Sequence, residues 1–190
     1  ARGERRLSGR VVRVRGFGKH EDFPVLGKGL SHAVNVRDAE LLRWVGANSI
    51  RTTHYPYSEE VLELCDAHGM LVIDECPAVS LNFGHTSDGG ARLLRTHELT
   101  LREMIARDVN HPCVVAWCTA NEPLSCAPNP LADRHFEAVS ASTRHAELAL
   151  LPRDAGGASV VPGRPLFFVS CHLPSDDAAR HCDILGIDRK

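Results

Sequence analysis

No apolar stretch in this chain approaches the roughly 20 residues that cross a bilayer as a helix. The longest, such as Val114–Trp117 and Leu166–Val169, are a fraction of that, so no membrane partner is expected. Charge of one sign is lacking too. Lys plus Arg number 22 against 24 Asp plus Glu, and the formal net charge is −2. With the basic residues scattered, neither a nucleic-acid footprint nor a polybasic membrane anchor is present. The seven cysteines, at 65, 76, 113, 118, 126, 171 and 182, are odd in number and match no disulfide or zinc framework. A reducing, cytoplasmic setting is the expectation. The opening Ala1-Arg2-Gly3-Glu4-Arg5-Arg6 has neither an initiator methionine nor an apolar secretory core, and reads as a fragment or processed start. Internal repeats are missing, and low complexity is confined to Asp154–Gly163.

What is present describes an ordinary globular chain of 190 residues, 43% hydrophobic and 24% charged, long enough for one core that buries about 70% of the unfolded surface. Short β-rich runs alternate with longer helical ones, the rhythm of an α/β fold. Val11–Arg15 reads as the first strand, followed by Gly16-Phe17-Gly18 and a polar loop through Gly29. Val34–Val45 carries Leu41, Trp44 and Val45 at helical spacing and stops at Gly46. Ser49–Thr52 is the second strand, and Ser58 caps a helix with Val61, Leu64 and Cys65 that ends at His68-Gly69. Met70–Glu75 is apolar without alternation, as in a parallel strand covered on both faces. A loop from Cys76 to Gly90 leads to a helix bearing Leu94, Leu101, Met104 and Ile105, then to a strand at Cys113–Thr119. A helix with Ala132, Phe136 and Val139 follows, then strands at Leu166–Ser170 and Ile184–Ile187. Periodicity leaves two architectures open, a doubly wound sheet and an incomplete barrel.

Three motif-like features fail on spacing. Gly16-Phe-Gly-Lys-His-Glu21 begins like a dinucleotide fingerprint, but Glu21 stands at the third glycine position. His97-Glu98 would need a second histidine at Leu101 to be a zinc-protease helix. His111, Cys113 and Cys118 are conceivable soft-metal ligands, yet the cysteines fall at odd spacing on an apolar strand, where free Cys behaves as a small hydrophobe. Neither metal nor cofactor is expected.

Polar residues instead recur just after strands, the edge at which α/β folds place their ligands. His20, Glu21 and Asp22 follow the first strand; Arg51, Thr53 and His54 the second; Asp74 and Glu75 end the third; Asn121 and Glu122 end the fourth. Each has a bland explanation alone, as a cap or a solvated charge. Together they form the floor of a polar pocket suited to a hydroxyl-rich substrate. Asn121-Glu122-Pro123 carries the chemistry best: a carboxyl group on a rigid strand end protonates a leaving oxygen while the neighbouring amide holds a sugar hydroxyl. Asp74 or Glu75 is a candidate second carboxylate that raises the acid's pKa, though neither is an obvious nucleophile.

Four segments carry a resemblance. These are Arg15-Gly-Phe-Gly-Lys-His-Glu-Asp22 with Gly27-Lys-Gly29; Leu42-Arg-Trp-Val-Gly-Ala-Asn-Ser-Ile-Arg-Thr-Thr-His-Tyr-Pro-Tyr57; Val72-Ile-Asp-Glu-Cys-Pro77; and Arg107-Asp-Val-Asn-His-Pro112 through Trp117 to Asn121-Glu122-Pro123. In this order they resemble the β-glucuronidases of glycoside hydrolase family 2. The resemblance implies a (β/α)8 TIM barrel, present here as roughly strands one to six of eight, with residues 1–190 forming a partial catalytic domain. It implies retaining hydrolysis of β-glycosides, with Glu122 as catalytic acid and then base, and with Asn121 and His20 binding the sugar. Arg51, His54 and Asp74 then support the pocket.

The departures bear on activity. The family's nucleophilic glutamate ends the seventh barrel strand, for which this chain offers no counterpart, and the glucuronate-recognising residues also lie downstream. Asp188 stands where the family has Asn, and Leu148–Gly163 is longer than the family's link into strand five. Leu7-Ser-Gly-Arg10 resembles the hairpin that opens the barrel, without the family's upstream domains. The expected partner is a β-glycoside carbohydrate, joined by a second copy of the chain or by the missing C-terminal barrel half. The alternative expectation is a non-catalytic relative that binds sugar weakly or not at all.

Overall fold

A computed structural model describes residues 6–7, 10–84, 88, 90–125, 129–170 and 180–187. A two-stranded antiparallel hairpin, β1 (Arg6–Leu7) and β2 (Arg10–Val11), precedes the main body. Then come β3 (Gly16–Lys19), α1 (His32–Trp44), β4 (Ser49–Thr52), α2 (Glu59–His68), β5 (Leu71–Glu75), α3 (Ala91–Asp108), β6 (Val114–Asn121), α4 (Pro130–Leu150), β7 (Leu166–Ser170) and β8 (Ile184–Ile187).

The main sheet runs β3-β4-β5-β6-β7-β8 with every described pair parallel. Strictly sequential order settles the choice that periodicity left open. A doubly wound sheet reverses its strand order at a switch point, whereas a barrel adds each strand beside the last. The fold is an incomplete (β/α)8 barrel of six parallel strands.

Helix ends follow local chemistry. Asn129 accepts the backbone N–H of Ala132 through Oδ1 at 3.1 Å, with Pro130 opening α4. Gly69 ends α2 in the left-handed region at φ 65°, where a Cβ is penalised. Ser58 precedes α2, yet its hydroxyl turns to Glu21 Oε1 at 2.8 Å rather than to its own helix.

The core lies between the sheet and the helices, where Leu62, Val72, Leu101, Ile105, Val114, Phe136, Leu166 and Phe168 are buried. Phe136 meets Phe168 edge-on at 5.0 Å between centroids, the arrangement favoured by the ring quadrupole. Arg164 closes the entry edge of β6. It pairs with Glu147 at 2.8 Å and donates through Nε to the Val114 carbonyl at 2.6 Å. The long link into β7 is ordered about Asp154, whose Oδ1 accepts from Gly156 and Ala158 N–H groups, each at 2.9 Å.

One strand differs from the sequence reading. The first barrel strand is Gly16–Lys19, not Val11–Arg15, which contributes only Val11 to the hairpin. Gly16 pairs with Ser49, and a Cβ there would sit 1.8 Å from the Ser49 carbonyl oxygen. Apolar Val12 and Val14 look like strand residues, but the backbone approach that makes the strand requires glycine. Cys126, Cys171 and Asp188 lie outside the described residues.

Candidate active site

The parallel register brings the carboxyl ends of β3, β4, β5 and β6 to one edge. Lys19 stands beside Thr52, Glu75 beside Cys118, and Asn121 beside Val169. Alternation along each strand then decides which side chains reach the concave face.

Glu75 is the hub. Fully buried, it takes His54 Nδ1 on Oε1 at 2.7 Å, while Arg51 Nη1 lies 3.2 Å from Oε2 in an ion contact rather than an aligned hydrogen bond. The same Arg51 nitrogen donates to Asn121 Oδ1 at 3.1 Å. An Asn that accepts through its carbonyl keeps its amide N–H groups for another partner. His20 packs edge-on against the His54 ring at 5.4 Å between centroids and lies 6.2 Å from Tyr55. Four strand ends thus join in one contiguous polar cluster of His20, Arg51, His54, Glu75 and Asn121. The Thr53–His54 peptide within it is cis.

Glu122 follows Asn121 at the exit of β6. Its backbone N–H donates to the Val169 carbonyl at 2.8 Å, and its φ is 45°. Positive φ is costly for a residue with a Cβ, and a following proline disfavours helical backbone still further. Strain of this kind is held only where surroundings over-determine it, and it clusters at working sites.

Asp74 and Glu21 are placed differently from the pocket floor drawn from sequence. Asp74 alternates to the helix-facing side with Val72 and is fully buried. Thr52 Oγ1 donates to its Oδ1 at 3.0 Å. Burial, then the Asp108 carboxylate beside it, raises the Asp74 carboxyl well above the ordinary range. Asp108 in turn accepts from Arg107 Nε at 2.7 Å and from Nη2 at 2.8 Å, and Arg107 also holds the Tyr57 carbonyl at 2.7 Å. Asp74 therefore supports the strand ends from behind. Glu21 Oε1 accepts the Ser58 hydroxyl, tying the loop after β3 to the start of α2.

Tyr55 and Tyr57 were singled out by no spacing argument. The Glu21 backbone N–H donates to the Tyr55 hydroxyl oxygen at 3.1 Å, and the Tyr55 ring lies beneath Lys28 Nζ, 3.4 Å from the ring centroid. The Tyr57 hydroxyl bonds the carbonyls of Lys19 and Thr53. Burial, chiefly, raises its pKa and keeps it a neutral phenol. Only their place inside a quoted motif pointed to them.

A sequential parallel barrel carries its site at the carboxyl ends of its strands, and a carboxylic acid there beside hydroxyl-binding groups is what cleavage of a glycosidic bond requires. The family profile "Glycosyl hydrolases family 2, TIM barrel domain" matches residues 3–150, and the chain belongs to that family. β-Glucuronidase of Rattus norvegicus is 38% identical over 187 residues, covering 96% of this chain and 26% of the relative. That of Homo sapiens is 38% identical over 183 residues, covering 96% and 25%. Among solved structures, a β-glucuronidase from an uncultured Clostridium sp. superposes with a TM-score of 0.85 at 38% identity, covering all of this chain and 31% of that one. The Ruminococcus gnavus β-glucuronidase in complex with D-glucuronic acid gives 0.80 at 35%, covering 95% and 28%. The chain spans about a quarter of the length of these curated relatives. Among the described residues, no helix is long and apolar enough to cross a membrane.

Proposed function

We propose that residues 1–190 are the acid/base part of a β-glucuronidase-type catalytic barrel that hydrolyses β-glucuronides with retention. Glu122 protonates the leaving glycosidic oxygen and then, as carboxylate, takes a proton from the attacking water. Asn121 donates its amide to a sugar hydroxyl, and His20 contacts the sugar from the end of β3. The observation carrying this reading is the strained Glu122 backbone, pinned to β7 beside an Asn whose amide is oriented by Arg51. The ligands named for the Ruminococcus gnavus structures, D-glucuronic acid and D-glucaro 1,5-lactone, support a glucuronide as substrate class.

Retention needs a second carboxylate about 5 to 5.5 Å from the acid. Glu75 is committed to Arg51 and His54, and Asp74 faces Asp108. On this reading the nucleophile comes from a C-terminal barrel half, and the chain alone turns over negligibly. The free thiols Cys65, Cys76, Cys113 and Cys118 support a reducing, cytoplasmic setting.

Purified 1–190 should release negligible chromophore from a chromogenic β-glucuronide. Mixing with a polypeptide carrying the remaining barrel strands should restore release, and Glu122→Gln should abolish it. Robust hydrolysis by 1–190 alone overturns the division of labour, and unimpaired Glu122→Gln overturns the assignment of the acid. A second reading, a non-catalytic relative, draws on the exposed apolar residues Leu30, Leu41 and Trp44, the last 83% exposed. Calorimetric heat on titrating a glucuronic lactone, lost in Asn121→Ala, separates a competent pocket from an inert one.

A further inference from the structure

At the edge of the sheet opposite Glu122, Asp66 on the last turn of α2 meets the turn that enters β6. His111 Nδ1 lies 2.6 Å from Asp66 Oδ2, and the Cys113 backbone N–H donates to Asp66 Oδ1 at 2.7 Å. A carboxylate oxygen, an imidazole nitrogen and a thiol sulfur from these three residues all fall within 4.8 Å of one another. We propose that Asp66, His111 and Cys113 bind a thiophilic divalent cation of the zinc class. Spacing along the chain concealed this site, because Asp66 comes from another element and Cys118 takes no part in it.

The donor set selects the ion. One thiolate, one imidazole and one carboxylate suit Zn²⁺ or Co²⁺ far better than Mg²⁺ or Ca²⁺, which take oxygen ligands. Two anionic ligands balance a divalent charge. The Asp66 carboxylate is already oriented by the Cys113 N–H, as a metal's supporting bonds would orient it. Burial works against charge on Asp66, but bonds from Cys113 and His111 outweigh it and hold the carboxyl below its ordinary range. The Cys113 thiol makes a long 3.5 Å bond to the Leu62 carbonyl; burial, then its hydrogen bond to the Asp66 carboxylate, holds its pKa far up, so it is a metal ion's charge that must drive off the proton. His111 and Asp66 keep 17% and 23% of their side-chain surface open, which leaves room for entry and for a water as fourth ligand. On binding, the Cys113 thiol proton leaves to solvent, and the His111 proton moves from Nδ1 to Nε2, so one proton is released per ion. Bound metal would clamp α2 to the start of β6.

The test is titration of chelator-stripped, reduced 1–190 with Co²⁺. One equivalent should give a thiolate-to-cobalt charge-transfer band in the near ultraviolet, removed by Zn²⁺, and the unfolding temperature should rise with zinc concentration. Cys113→Ser, which is nearly isosteric, and His111→Ala should each weaken binding at least about tenfold while keeping the far-ultraviolet circular dichroism of the parent. Failure of wild-type protein to give the band at millimolar Co²⁺ overturns the proposal. So does a band unchanged in Cys113→Ser and lost in Cys65→Ser or Cys182→Ser.

Discussion

A single guanidinium nitrogen of Arg51 serves both Glu75, at 3.2 Å, and Asn121, at 3.1 Å. The charge of one strand end thereby fixes the amide orientation of another. Because Glu75 is fully buried, it needs that charge as much as Asn121 needs the donor. Breaking a buried pair from one side costs about 3–5 kcal/mol, since the remaining charge is stranded. Arg51→Met should lower stability by that amount in urea unfolding and abolish lactone binding. Adding Glu75→Gln should recover part of the stability but not the binding. Strictly additive losses in the double variant would show that the two residues are not coupled.

Asp74 behaves oppositely to an ion-paired carboxylate. Its Oδ2 has no hydrogen-bond donor among the described residues, the state of a protonated group beside anionic Asp108. Its folded pKa lies above the unfolded value of about 3.8, so the folded state holds the extra proton. The associated stability is complete below about pH 4 and is lost as pH rises through the folded value. Asp74→Asn retains the acceptor for Thr52 and cannot ionise. The variant should gain on the parent in urea midpoint as pH rises above about 4. A parallel pH dependence for the two proteins would refute a protonated Asp74.

Much of this was legible in the chain. Ser49–Thr52, Leu166–Ser170 and Ile184–Ile187 are strands with the bounds read from sequence, because short apolar runs bounded by turn residues have few other fates. The gathering of polar residues at one edge was legible for a related reason: parallel strands in sequence order must deliver their exits together. The face on which each polar residue lands was not. Asp74 and Glu75 are adjacent carboxylates on one strand, and the two-residue alternation sends one to Asp108 and the other to Arg51. A shift of one residue in register would exchange them. Gly16 was misread because glycine signals a loop when only propensity is weighed.

That glycine gives a direct check on β3. The Ser49 carbonyl stands 1.8 Å from where a Cβ would be built, and this obstacle is backbone, which cannot rotate aside. Gly16→Ala must push β3 away from β4 and disturb the register that carries His20 to the cluster. The loss should be at least about 2 kcal/mol by urea unfolding. Gly27→Ala is the comparison: its space is open, and only its φ of 58° is unfavourable, so about 1 kcal/mol is expected. Equal losses at the two positions would mean that close approach is not what Gly16 provides.

The last prediction concerns acid. His97 and His135 are buried side by side between α3 and α4. His97 Nε2 faces the Thr119 carbonyl at 2.8 Å and so carries a proton, which makes its Nδ1 the acceptor for His135 Nε2–H at 2.9 Å. Burial pushes both imidazoles down to about 4, with His97 adding to the effect on His135. An unfolded histidine titrates near 6.5, so between these values the unfolded chain binds protons that the folded one refuses. Stability is therefore full above about pH 6.5 and is lost as pH falls toward 4, by roughly 1.4 kcal/mol per pH unit for each histidine. His135→Gln keeps a donor for His97 Nδ1 and removes one titrating group. Urea midpoints between pH 6 and pH 4.5 should then fall about half as steeply, for this part of the slope, as in the parent. An unchanged slope would place the acid sensitivity elsewhere in the fold.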